Sequence, residues 1–357
     1  MKKSILFTAL AALLVATSCA GSDTTSEETV TPAKKEAPER QGWSVDEETG
    51  EVYNETSLYG DVESVTITNY DVADKFGEIV KDKITGKTFY RFNQKGDVIE
   101  MADYNSDGSL GWKKLYKYDS QGNQIERAYY NSDGSPDWKW LYKYDSQGNK
   151  IEAAWYNSDG SLDDKYTYKY DSQGNKIEGT WYNSDGSLKW KTLYKYDSQG
   201  NQIERAGYNS DGSLDDKYTY KYDSQGNKIE WAWFNSDGSL SVKEIYKYDS
   251  QGNKIEGTWY NSDGSLNQKW LFKYDSQGKL IEYAFYNSDG SLICKYTCKY
   301  DSQGNQIEDA RYNSDGSLDR KYTYKYDLQG NWVEIISYKG EIMKPTSVTV
   351  REIVYRK

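Results

Sequence analysis

YNSDGSLDDKYTYKYDSQGNKIE occupies residues 156–178 and recurs without a change at residues 208–230. Near copies fill most of the chain. The motif YD-x-QG begins at Tyr118, Tyr144, Tyr170, Tyr196, Tyr222, Tyr248, Tyr274, Tyr300 and Tyr326, a period of 26 residues, and a degenerate copy starts one period earlier at Phe92. A fixed period of this length signals a repeat architecture. Each unit carries two turn signals, Gln173-Gly174 and Asp185-Gly186, and Asp-Gly is the stronger of the two. Between them, LDDKYTYKY and KIEGTWY alternate in polarity and are rich in aromatic residues, which reads as strand.

Two-residue loops place Tyr166 opposite Trp181, Tyr168 opposite Gly179 and Tyr170 opposite Ile177. Across the next turn Trp181 faces Trp190 and Ile177 faces Tyr194. Every Tyr, Trp and Ile of this set then falls on one face, and Lys165, Thr167, Lys169, Lys176, Glu178 and Lys189 fall on the other. A three-residue loop alone mixes the faces, because a one-residue slip flips a strand. In the two-residue register each hairpin slips by two residues, or one per strand. That is the shear of a barrel whose strands tilt by about 36°. The expected fold is all-β: tandem 26-residue hairpins in one long, coiled antiparallel sheet, a solenoid or superhelical ribbon with its Tyr/Ile face inside the curve. The pattern leaves open whether the sheet closes.

The chain divides into a leader at 1–19, a polar tether at 20–42, an N-terminal β cap at 43–91, hairpin repeats at 92–336 and a closing hairpin at 337–357. The leader has a basic start (Lys2, Lys3), an apolar run from Ile5 to Ala16, and small residues before Cys19. It reads as an export signal. Its ending resembles a bacterial lipoprotein signal, although Ala16 stands where an aliphatic residue is usual. The resemblance implies lipidation at Cys19, a membrane partner through the acyl chains, and a place at the bacterial cell envelope, at the outer membrane. Residues 20–42 have the polar, aperiodic composition of a tether.

Composition narrows the function. The 357 residues include 36 Tyr and 12 Trp, no His, and a net charge of −11. An acidic chain without a basic block repels nucleic-acid phosphate, so no nucleic-acid partner is expected. Without His the commonest general base and metal ligand is missing. NSDGS resembles part of a calcium loop, but the acids that such a loop requires are replaced around Asn183 by Trp181 and Thr192. Cys294 and Cys298 lie four apart on one strand, too far to bridge. Asp163 and Asp164 are candidates for carboxylate chemistry, yet they read as solubilising charges on strand ends. No cofactor and no metal are expected, and the chain reads as a non-enzyme.

The Ile of IE, at Ile125, Ile151, Ile177, Ile203 and onward, and the neighbouring Tyr pair are near-invariant among the copies and read as the structural stripe. Variation concentrates toward the Asp-Gly end. One column runs Tyr129, Trp155, Trp181, Gly207, Trp233, Trp259, Phe285, Arg311, and another includes Trp112, Trp138, Asp164, Trp190 and Asp216. An unpaired buried charge is expensive, so exchange of Trp for Asp or Arg reads as a wet end. Tyr129, Trp155, Trp181, Trp233, Trp259, Phe285, Trp138 and Trp190 are the candidate ligand contacts. Tyr130, Tyr156 and Tyr182 begin a second ladder beside lysines on the opposite face.

YKYDSQGNKIE resembles the YD repeats of the Rhs-type family over roughly residues 86–336. The resemblance implies a coiled β shell. No toxin-like region follows the repeats in this sequence, so it is not read as implying toxin delivery. WYNSDGSL is similar, more distantly, to the aromatic hairpins of choline- and glucan-binding repeats. The expected function is a non-enzymatic, envelope-anchored scaffold for binding or adhesion, with a glycan or protein ligand. The alternatives are a carbohydrate-binding protein using the Trp column, a carboxylate glycosidase, or a purely structural spacer.

Overall fold

The structure is a computed structural model that describes residues 44–45, 52–53, 58–75, 78–340 and 344–357. The leader, Cys19 and the tether at 20–42 lie outside the described residues. Two compact units are formed, Met1–Gly60 and Asp61–Lys357. In the first, β1 (Ser44–Val45) pairs antiparallel with β2 (Val52–Tyr53). In the second, 22 strands form a closed antiparallel barrel, running from β3 (Val62–Lys75) to β24 (Lys344–Tyr355). The expected all-β hairpin array is present, and its two ends meet. The terminal segments supply β3, β4 (Glu78–Phe92) and β24, and β24 pairs with β3 from Ser347↔Asp71 to Tyr355↔Val62.

Within a repeat, β10 (Leu162–Tyr170), β11 (Lys176–Asn183) and β12 (Leu188–Tyr196) show how the sequence sets the geometry. Tyr166 faces Trp181, Tyr168 faces Gly179, and Trp181 faces Trp190, as the alternation requires. The loops are not two residues long. Asp171 N–H donates to Asn175 O at 2.9 Å and Gly174 N–H to Asp171 O at 3.1 Å, so the loop is Ser172-Gln173-Gly174. Gly174 has φ 85° and Gly186 φ 82°. This is a type I turn closed by a glycine in the left-handed region. The faces survive for most paired residues because each three-residue loop is followed by a bulge, whereas Lys176 and Lys189, expected on the face opposite the rings, lie over them. Tyr170 pairs with Lys176 rather than Ile177, and Lys169 pairs with Glu178. Ile177 is therefore an extra, unpaired residue, and Lys189 is its counterpart after the other turn. One added residue in the loop and one in the strand cancel.

The bulge corrects a second expectation. The Ile stripe is not core. Ile125, Ile151, Ile177, Ile203, Ile255, Ile281 and Ile307 are each 36–38% exposed.

Side chains around the turns account for the fixed letters. Asp171 Oδ1 accepts from the backbone N–H of Gln173 and Asn175, each at 2.9 Å, and Oδ2 accepts from Asn175 Nδ2 at 3.0 Å. At the other end Asp185 Oδ1 accepts from Ser187 N–H at 2.8 Å, and Asn183 Nδ2 donates to Ser187 Oγ at 2.9 Å. These local bonds favour turns. They also hold both carboxyls below the ordinary carboxylate value, through Asn175 for Asp171 and Ser187 for Asp185. A depressed folded-state pKa contributes stability that is present above the unfolded pKa and lost as pH falls through the folded one. Because the arrangement recurs around the ring, the urea midpoint should fall as pH drops from 5 to 2. An unchanged midpoint over that window would refute the role assigned to these turns.

The Tyr of YD joins one hairpin to the next. Tyr170 Oη donates to Lys150 O at 2.7 Å, and Tyr144, Tyr196, Tyr248 and Tyr326 make the same bond twenty residues back. Tyr170→Phe should cost about 0.5–1.5 kcal/mol, read as a lower denaturant midpoint. A change of less than a few tenths would mean that the bond is ornamental.

From Tyr166 the register runs to Trp181 and then Trp190, two residues short of Thr192, the repeat equivalent of Tyr166. The shear is thus one residue per strand, so equivalent residues sit at one height around the axis. All Gln-Gly turns form one rim and all Asp-Gly turns the other. At a spacing of about 4.8 Å per strand and a tilt of about 36°, the barrel is roughly 40 Å across and successive repeats lie about 12 Å apart.

The seam substitutes its own bonds for those of the repeat. Arg356 pairs with Asp61 and donates Nη2 to Phe92 O at 2.6 Å and Asn93 O at 2.7 Å. In the repeats Lys176 lies over the Tyr168 and Tyr194 rings. At the seam Trp332 takes the lysine position, and Arg351 from β24 supplies the cation, 3.6 Å from the ring centroid. Burial pushes the Arg351 pKa down to about 10.

Candidate functional site

The two faces of the barrel wall differ in chemistry. On one, Glu178 bridges Lys169 and Lys191, each at 2.8 Å, and Glu152 bridges Lys143 and Lys165. Such exposed pairs contribute about 0–1 kcal/mol each. Between them runs a column of small buried residues, among them Ala128, Ala154, Ala206 and Ala310. The second tyrosine ladder is here, with Lys139 over Tyr156 and Lys295 over Tyr312.

The other face is aromatic and carries all eight candidate contacts. It is not a row of free platforms at a wet end. Each of the eight rings is half-buried. Tyr129 stacks between Trp112 and Trp138 at 5.7 and 5.2 Å. Trp155 stacks on Trp140 at 5.9 Å and Trp181 on Tyr166 at 5.1 Å. Lys189 Nζ sits 3.7 Å from the Trp181 ring centroid. Trp233 stacks on Tyr218 at 6.1 Å, and Phe285 meets Trp270 edge-on at 6.3 Å. Trp259 stands opposite Glu244 and Gln268. Trp190 donates Nε1–H to Thr192 Oγ1 at 3.0 Å. Rings standing against one another like books present edges, not faces.

Charges that looked exposed in the sequence lie among these rings. Asp164 is 7% exposed and accepts from Lys189 Nζ at 3.2 and 3.3 Å. Arg127 is buried with its guanidinium 5.5 Å from the Trp138 ring. Tyr218 is pushed up to about 12 by burial and by Asp216 beside it. Burial pushes the Cys298 thiol up to about 11, which keeps it protonated and unreactive. Among the described residues no three His, Cys, Asp or Glu side chains gather as a metal site would require.

Two features escape sequence reasoning. The gap in the Trp column at Gly207 is a packing complement. A Cβ there would lie 2.3 Å from Trp190 Cζ2 and 2.6 Å from Asp216 Oδ1. Trp190 already fills the space that a column tryptophan would take. Gly257 likewise makes room for Trp270, at 2.7 Å. The second feature concerns four of the tryptophans. Nε1 of Trp155, Trp181, Trp233 and Trp259 is buried without a hydrogen-bond partner. They share one repeat position and one height on the barrel. Their signal in the sequence is only the recurrence of Trp where Phe would pack as well.

No protein-family model matches the sequence, and no curated protein matches it. Solved structures similar to this chain include TcdB2-TccC3, at 12% identity, TM-score 0.31, with 73% of this chain and 20% of that chain covered. The chain spans about a fifth of the length of that structure. Another is a porin-like protein from Bacteroides uniformis ATCC 8492, at 10% identity, TM-score 0.31, with 83% and 99% covered. TM-scores this low carry no argument about this chain.

Proposed function

We propose that this protein is a non-enzymatic binding scaffold of YD-repeat type, held at a bacterial cell envelope through lipid on Cys19, and that its ligand is taken up on the aromatic face. The observation that carries this reading is the recurrence of buried, unpartnered indole N–H groups at Trp155, Trp181, Trp233 and Trp259. An unsatisfied buried donor costs about 1–3 kcal/mol. Four at equivalent positions are what a site lacking its acceptors presents. A glycan, with its dense hydroxyl and carbonyl oxygens, supplies such acceptors once the indoles swing a few tens of degrees. An extended protein segment supplies them through its carbonyls.

In this reading the aromatic face lines the lumen. Trp140 and Tyr166 lie on strands two apart yet stand 5.7 Å from each other, over Ala153, which is fully buried. Lys114 reaches Trp138 in the same way at 5.8 Å. Side chains converge like this on a concave wall and diverge on a convex one. The ligand is then threaded through the ring rather than laid on its outside.

The test is a glycan and matrix-protein binding screen with the protein and two variants. Changing the four tryptophans to Phe keeps the rings and removes the donors. Changing them to Ala removes both. Binding by the wild type, with at least a tenfold loss in the Phe variant, is the expected result. Binding unaffected by either variant would reject the site. No binding by any of the three would favour the spacer reading.

A further inference from the structure

We propose that two copies of this barrel stack rim to rim through their Gln-Gly ends, with Leu328 of each copy seated in a groove of the other. The proposal does not rest on the aromatic face and would survive its failure.

Three observations on one rim lead there. The bulged isoleucines form an apolar ring, each 36–38% exposed. Between adjacent hairpins the rim is grooved: one such groove, about 600 Å³, has Ile125, Ile151, Tyr142 and Tyr144 in its lining, with Ser120 and Ser146 among its turn residues. The repeat places equivalent grooves about 12 Å apart around the rim. The third observation is a single departure. Ser120, Ser146, Ser172 and Ser198 occupy the first loop position of their turns, and the equivalent residue in the last repeat is Leu328. Leu328 is fully exposed, at 103%. An apolar knob and a set of apolar grooves therefore lie at the same rim of one molecule.

The occupant is a second copy for reasons of fit. Only another such rim carries grooves and teeth at the same spacing. Asp119, Lys143 and Asp145 line the groove, and Lys143 is already paired with Glu152 at 2.8 Å, so the fit rests on shape and apolar surface rather than on charge. One knob per ring gives a two-fold, isologous contact in which each knob fills a groove of its partner. A strip roughly 8 Å deep along a perimeter of about 130 Å covers roughly 1,000 Å² per copy, within the range of stable interfaces. A lipid surface fits less well, because the polar Ser-Gln-Gly tips stand beyond the isoleucines and would meet it first.

The experiment is sedimentation equilibrium on the chain from Ala20 onward, which holds the whole closed barrel and no acylated cysteine. Leu328→Ser tests the knob and restores the residue that other copies carry, so the fold is not at issue. A thermal melt checks this. Ser184→Lys, at the opposite rim, is the control. The expected result is a dimer whose dissociation constant rises at least tenfold with Leu328→Ser and is unchanged by Ser184→Lys. Scattering should show the long dimension along the axis doubled. A monomer at all concentrations, a dimer indifferent to Leu328, or one broken by Ser184→Lys overturns the proposal. So does a monomer that cosediments with phosphatidylcholine–phosphatidylglycerol vesicles only when Leu328 is present, because the rim then faces lipid.

Discussion

Removal of residues 183–208, one full period, is expected to leave a soluble, fully paired barrel with two strands fewer. The cut joins Tyr182 to Asn209, the repeat equivalent of Asn183, so both turns flanking the junction keep their Asp, Asn and Gly. Shear falls by two as strand number falls by two, and the tilt, which depends on their ratio, does not change. The new neighbours are also compatible. Trp181 comes to face Asp216, the pairing that Trp155 makes with Asp164 at a native position. Radius scales with strand number at fixed tilt, so the diameter should contract by about 9%, measurable by small-angle scattering. Removal of Leu188–Gly200, a single strand with its turn, is the counter-case. It leaves an odd number of strands and brings β24 to β3 in the wrong direction. That variant should be insoluble or should lose its cooperative melt. A folded single-strand deletion, or an unfolded full-period deletion, would show that closure is not governed by register.

The second large effect concerns glycine in a strand. Gly→Ala there usually stabilises by about 0.5–1 kcal/mol, because the unfolded chain loses freedom. Gly179→Ala should follow the rule, since its added carbon would lie 3.7 Å from the Tyr168 ring, an ordinary contact. Gly207→Ala should reverse the sign. The new carbon lands within 2.6 Å of both Trp190 and Asp216, and overpacking costs about 1–3 kcal/mol. Trp190→Ala in the same background should recover much of the loss, so the double-mutant cycle carries a coupling term. Equal effects of Gly207→Ala and Gly179→Ala would dismiss the view that column gaps are packing complements.

The faces of the wall were legible because period-two alternation survives any pair of compensating insertions. The bulge at Ile177 was not legible for the same reason: an extra residue in the loop and another in the strand leave every pairing beyond them where a shorter loop would put it. Ile177 looked like core because it is apolar and recurs, but its recurrence marks a bulge position at an exposed rim. Closure could not be read from the repeat. A shear of one per strand fixes tilt, and the ring's size depends on how many copies intervene before the unlike sequences of β3 and β24 find each other. On the aromatic face, recurrence marked the tryptophan column. Sequence could not show that neighbouring rings occupy their faces, or that Gly207 is silent because Trp190 leans across it.

The seam puts both ends of the barrel, Asp61 and Arg356, side by side at the Gln-Gly rim. In topological terms the ring has no privileged beginning. A circular permutant that links those ends and opens the chain in the Asn183–Ser187 turn preserves every ladder, yet its barrel ends lie at the Asp-Gly rim. Which rim carries the barrel's ends is therefore set by a single break in an otherwise cyclic order, and moving that break transfers them to the other rim without altering the wall.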